Sequence, residues 1–147
     1  TIDRDFLKKV HCFQSSDHLS ELLSAADKYS LTHFPIFDGD HFVTVLSENG
    51  VMNWLAASVT SSLLDIDNSR IIDSLKYEEQ RHPVVFVKKD ASVYSILEIF
   101  VSSARRGLGN PVILIADKRP IKGPSDIKGI ITLSDMAQIV SIIENEA

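Results

Sequence analysis

Two side chains near the end of the chain, Thr132 and Asp135, have the types and the spacing to hold a sugar. They stand in the run Gly129-Ile130-Ile131-Thr132-Leu133-Ser134-Asp135-Met136, where a short aliphatic stretch gives way to helical spacing. Three residues of separation across a strand end and a helix start let both side chains face one pocket. An ionised carboxylate only accepts hydrogen bonds, so it suits two vicinal hydroxyls of a ribose, both of which can donate to it. The Thr hydroxyl donates or accepts beside it. The helix beginning near Asp135 directs free backbone N–H groups outward, where a phosphate is stabilised. A purely structural reading stands beside this one: Asp135 as a helix N-cap and Thr132 as a β-branched strand residue.

The elements that must position these residues occur twice. The two halves overlay from Asp5-Phe6-Leu7-Lys8 and from Asp73-Ser74-Leu75-Lys76. Each opening is followed by an apolar stretch, His11-Cys12-Phe13 and then Val84-Val85-Phe86-Val87, the second rich in β-branched residues and strand-like. Ser15-Ser16-Asp17 and Lys89-Asp90 are expected helix starts. Behind them apolar residues fall at helical spacing: Leu19, Leu22, Leu23 and Ala26, then Val93, Ile96, Leu97, Phe100 and Val101. An X-Pro strand follows in each half, Phe34-Pro35-Ile36-Phe37-Asp38 and Asn110-Pro111-Val112-Ile113-Leu114-Ile115. A turn at Asp38-Gly39-Asp40, and in the second half a longer loop from Asp117 to Lys128, lead to a further strand and a closing helix. Each half therefore reads helix–strand–helix–strand–strand–helix. The stretch from Ala56 to Arg70 reads as the linker, with an apolar kernel at Leu63-Leu64. A unit of about 60 residues with one small sheet cannot easily bury both faces alone, so two units should pack together.

Composition bounds the function classes. An apolar fraction of 44% fits a globular chain of 147 residues. A net charge of −5 with interspersed signs provides no basic field for nucleic acid or anionic lipid. The lone Cys12 excludes an intramolecular disulfide and a cysteine metal cluster. No apolar run approaches the roughly 20 residues needed to span a bilayer, and no secretory signal is seen, so a cytoplasmic location is expected. The sequence carries no Gly-rich phosphate loop, no paired His spacing on a helix and no Ser–His–Asp set, so an enzyme is not expected. Asp38, Asp40 and Glu48 read as a solvated cluster at a turn. Trp54, Val51 and Leu55 read as an apolar helix face for core or interface.

The order of elements, their duplication and the Gly129–Met136 motif resemble a tandem pair of CBS domains, the Bateman module. The resemblance covers nearly the whole chain. Its signature is a glycine, two aliphatic residues, a Thr or Ser, two variable residues and an Asp, and the second half matches in full. The first half departs from it: Thr44-Val45-Leu46-Ser47-Glu48-Asn49-Gly50 retains a hydroxyl at Ser47 but has Gly50 at the Asp position. The resemblance implies an α/β (α+β) fold of two CBS repeats, 1–65 and 66–147, each a small sheet with flanking helices, packed with pseudo-twofold symmetry. It also implies a regulatory module that binds AMP, ADP or ATP in the cleft between the repeats, with Thr132 and Asp135 on the ribose. Less favoured ligands are a cyclic dinucleotide and S-adenosylmethionine. Cys12 and Leu31 would flank the adenine, backbone groups of His11 and Thr32 would read its edge, and His33, Lys8 or Lys9 would approach the phosphates. The structural alternative for Cys12 is a small core hydrophobe. One site per chain is expected, because the first half lacks its carboxylate. A homodimer and a regulated protein partner are further implications, without catalytic cofactor, nucleic acid or membrane. The alternative function is a ligand-free scaffold or dimerisation module.

Overall fold

The computed structural model describes the chain apart from Thr1, Asp3, Arg4, residues 61–67 and 79–82, Ala147 and the side chains of Thr60 and Glu146. It packs as two compact units, His11–Gln80 on one hand and Thr1–Val10 with Arg81–Ala147 on the other. In the first, β1 (Phe13–Gln14) is followed by α1 (Leu19–Tyr29), β2 (His33–Asp38), β3 (His41–Ser47), α2 (Glu48–Thr60) and α3 (Ile71–Leu75). The second holds β4 (Val84–Val87), α4 (Val93–Arg105), β5 (Val112–Ile115), β6 (Gly129–Ile131) and α5 (Met136–Glu146). Each sheet has three strands in sequence order. The first and second strands are parallel and the second and third antiparallel in both units. The fold is thus mixed α/β, one topology written twice.

Local sequence accounts for the elements. Leu19 and Leu22 are fully buried on α1, against Phe34, Ile36 and Leu46 of the sheet. The helix stops where Ser30 turns left-handed at φ 54°, its amide bonded to the Ala26 carbonyl. In the β2–β3 hairpin Gly39 takes φ 62°, a conformation glycine adopts without steric cost. The Gln14 side chain clamps that turn, donating to the Gly39 carbonyl at 2.9 Å and accepting its amide at 2.7 Å.

Several boundaries differ from the sequence reading. Helix α1 starts after His18 rather than at Ser15-Ser16-Asp17. The Asp17 carboxylate instead accepts the Gln14 amide at 2.9 Å, closing a turn instead of capping a helix. Helix α4 starts after Ser92, whose hydroxyl accepts the Ser95 amide at 3.1 Å, and not at Lys89-Asp90. The first strand begins at Phe13, leaving His11 and Cys12 ahead of it. Helix α2 runs on to Thr60 and takes the first five residues of the expected linker, because Ala56-Ala57 offers nothing to stop it. Leu63-Leu64 lies outside the described residues. Of the two opening helices one forms as α3; in the opening of the other half the Phe6 amide is bonded to the Ile2 carbonyl at 3.0 Å, and Asp3 and Arg4 lie outside the described residues.

The compact units divide the chain differently from the repeats 1–65 and 66–147. Ile2 and Phe6 are buried in the core of the second sheet with Ile96, Phe100, Ile113 and Ile131. Ile71 is buried in the core of the first with Leu22, Phe34 and Trp54. The opening segment of each half therefore completes the core of the other half's sheet.

Candidate functional site

Thr132 follows β6 directly and caps a one-turn 3-10 helix, Leu133–Asp135, that runs into α5. Its backbone amide donates to Asp135 Oδ2 at 2.9 Å, and the Asp135 amide donates back to the Thr132 carbonyl at 2.9 Å. The Thr132 and Ser134 hydroxyls are bonded to each other at 2.8 Å. Thr132 is buried and Asp135 half-buried. Strand and turn thus hold both side chains in place, and the bond to Thr132 engages one of the two carboxylate oxygens. Capping and sugar binding are compatible here, since a carboxylate has about four acceptor positions on two oxygens.

The equivalent junction in the first unit lies where β3 ends at Ser47 and α2 begins. Gly50 supplies no side chain there, yet a carboxylate is present. Glu78 Oε2 accepts the Ser47 amide at 3.0 Å, and Oε1 accepts the Ser47 hydroxyl at 2.6 Å. The Gly50 amide reaches Ser47 Oγ at 3.4 Å. Sequence reasoning missed Glu78, because nothing local joins it to a motif 31 residues upstream. The only available signal was the repeat itself: α3 opens the second half yet packs on the first sheet.

The other five sequence candidates belong to the unit that holds Ser47. His33 pairs with Ser47 across β2 and β3, and the Glu48 amide donates to the Thr32 carbonyl at 2.9 Å. Thr32 Oγ1 and His33 Nδ1 are hydrogen-bonded at 2.8 Å. Of the Thr32 backbone groups expected to read a base edge, the carbonyl is therefore engaged by α2. Leu31 is half-buried and packs against the core below α1. The His11 ring stacks on Tyr29, with centroids 4.2 Å apart and planes 25° from parallel. Burial pushes the Cys12 thiol up to about 11, further from the thiolate, and it offers a small neutral surface. Lys8 and Lys9 line a hollow of ≈ 700 Å3 with Lys89, Lys128 and Asp117. The Lys8 amide is bonded to the Lys128 carbonyl at 3.1 Å, at the entry of β6, whereas Thr132 lies past its exit. Four residues of extended chain put these positions about 13 Å apart, which removes the Lys8 backbone from the neighbourhood of Asp135. Among the described residues no group of three His, Cys, Asp or Glu is placed to hold a metal ion.

With this geometry in view, the fold is that of a tandem CBS-domain pair. The chain aligns over 96% of its length with 98% of a CBS domain-containing protein of unknown function from Kribbella flavida, at TM-score 0.64 and 16% identity. A putative acetoin utilization protein from Vibrio cholerae matches over 99% of this chain and 93% of its own, at TM-score 0.63 and 18% identity. CBSX2, solved in complex with AMP, matches over 98% of both chains at TM-score 0.62 and 14% identity. No family model matches the sequence, and no curated protein matches it. Among the described residues no helix is long and apolar enough to cross a membrane.

Proposed function

We propose that the chain is a regulatory module whose Thr132–Asp135 junction binds the ribose of an adenine nucleotide, AMP, ADP or ATP. The observation that carries this reading is the placement of Asp135. Its carboxylate is fixed by the Thr132 amide through Oδ2 at 2.9 Å, on a half-buried residue at a strand-to-helix junction. A carboxylate so held loses little rotamer freedom when a diol donates to it, which favours binding. The AMP in the CBSX2 structure supports the choice of ligand class. Binding rather than catalysis is the proposed role, in line with a Cys12 thiol that is held protonated. The base and phosphate contacts of His11, Cys12, Leu31, Thr32 and His33, a homodimer, a regulated protein partner and a cytoplasmic location belong to the proposal through the same resemblance.

Titration with AMP, ADP and ATP tests it. A nucleotide at about 100 times its Kd stabilises the native state by about 2.7 kcal/mol, readable as a rise in melting temperature. Asp135→Asn keeps an acceptor for the Thr132 amide but loses the charge, and is expected to weaken binding at this junction at least tenfold. A melting temperature unmoved by all three nucleotides removes the reading. The scaffold alternative then stands, favoured by one observation: Asp135 already serves as a cap.

A further inference from the structure

Lysines gather at the end of the second sheet that lies away from the Thr132–Asp135 junction. We propose that Lys8, Lys9, Lys89 and Lys128 form a binding site of their own for a compact anion with several phosphate groups, an inorganic polyphosphate.

Four observations carry it. First, these four residues line one open hollow of ≈ 700 Å3, a volume usual for small-ligand sites. Lys128 enters β6 and Thr132 follows its exit, so the strand Gly129–Ile131 separates this hollow from the ribose junction. Second, the lysines come from three stretches of chain whose backbones are tied down within one compact unit. The Lys8 amide donates to the Lys128 carbonyl at 3.1 Å, and the Lys128 amide to the Ile115 carbonyl at 2.7 Å. The Lys89 amide donates to Asp117 Oδ1 at 2.9 Å. The side chains therefore start from fixed points, which lowers the cost of gathering them on one ligand. Third, the charge is not compensated. Among the described residues Asp117 is the one acid in the lining, and its Oδ2 stands 3.9 Å from the Lys89 ammonium. Lys8, Lys9 and Lys128 make no ion pair among the described residues. Four ammonium groups thus face one carboxylate in a chain whose net charge is −5. Fourth, the type of cation selects the ligand. Among the described residues no arginine is in the lining, so the planar fork that grips a carboxylate at two points is not built. Ammonium groups act as point charges, and a cluster of them suits a group whose negative charge is spread over many oxygens. A hollow admits a free phosphate chain, whereas a flat lipid surface would need the lysines to project from a convex face.

Isothermal titration of the full chain with inorganic tripolyphosphate is the test. Wild type is expected to bind it, with affinity falling about tenfold between about 50 and 300 mM NaCl. Lys8→Gln, Lys9→Gln and Lys128→Gln, each folded by circular dichroism, are expected to weaken binding about threefold apiece, and the triple variant about tenfold or more. Two variants serve as controls and are expected to bind as wild type does: Asp135→Asn, and Lys28→Gln with Lys76→Gln, which removes two exposed positive charges elsewhere. Absence of binding at the lower salt overturns the proposal. An equal loss in the Lys28 and Lys76 variant also overturns it, since the effect would then be one of overall charge. Loss in Asp135→Asn overturns it as well, because the anion would then occupy the ribose junction. Adsorption to phosphatidylglycerol vesicles by a chain that ignores tripolyphosphate would assign the lysines to a lipid surface and overturn it too.

Discussion

The backbone carbonyl of Phe6 occupies the space that a side chain at Gly129 would need. A β-carbon on residue 129 would stand 2.6 Å from that carbonyl oxygen and 2.7 Å from Ile115 Cδ1. The Ile115 methyl can rotate away, but the Phe6 backbone is held on both sides. Its amide is bonded to Ile2, and two residues on the Lys8 amide is bonded to Lys128. The first glycine of the Gly129–Met136 motif is thus a packing requirement for the opening segment, not a ligand contact.

Gly129→Ala is accordingly expected to destabilise the protein by about 1–3 kcal/mol, the usual range for forcing one extra carbon into a packed site. Urea denaturation measures it. Gly129→Ala with unaltered stability would mean that the opening segment does not lie against β6. The Thr132–Asp135 junction is three residues further on, so nucleotide affinity is a sensitive second readout of displaced strand.

Helix α2 gives a second prediction from two residues a step apart. Trp54 is 5% exposed and packs in the first core, whereas Met52 is 60% exposed. Trp54→Ala removes a large buried ring and is expected to cost about 3–5 kcal/mol, while Met52→Ala should fall within about 0.5 kcal/mol of wild type. Chemical denaturation of the two variants side by side is the measurement. Equal losses would place the buried face of α2 elsewhere.

Those two residues also show what the sequence could reveal. The apolar face of Val51, Trp54 and Leu55 was legible because helical periodicity is a local property, and the same holds for Leu19 and Leu22 on α1. Hairpin and X-Pro strands were legible from Asp38-Gly39-Asp40 and from Phe34-Pro35 for the same reason. Helix starts were less so: Ser15-Ser16-Asp17 has good capping residues, yet Asp17 bonds the Gln14 amide preceding it. A side chain that can cap can equally close a turn, and tertiary packing chooses between them. The site divides along the same line. Thr132 and Asp135 meet through three residues of backbone, so their pairing was legible. Glu78 reaches Ser47 only because α3 packs on the sheet of the other half, and no window of sequence contains both.

The Cys12 thiol predicts a pH dependence of stability. Burial raises it from the ordinary 9.0 to about 11, so the native state keeps its proton to higher pH than the unfolded chain does. Below pH 9 both states are protonated and the stability is fully present. Between pH 9 and 11 the unfolded chain ionises first, which draws the equilibrium toward unfolding, so stability falls as pH rises. Two pH units correspond to at most about 2.7 kcal/mol, and because Cys12 is only half-buried a loss of about 1–2 kcal/mol is expected. Cys12→Ala isolates the effect, since the other titrating groups cancel in the difference between variant and wild type. Denaturation midpoints measured from pH 7.5 to 11 should show the wild type losing ground to Cys12→Ala only above pH 9. A difference that stays constant across the range would mean that the thiol faces water and is not held in a packed interior.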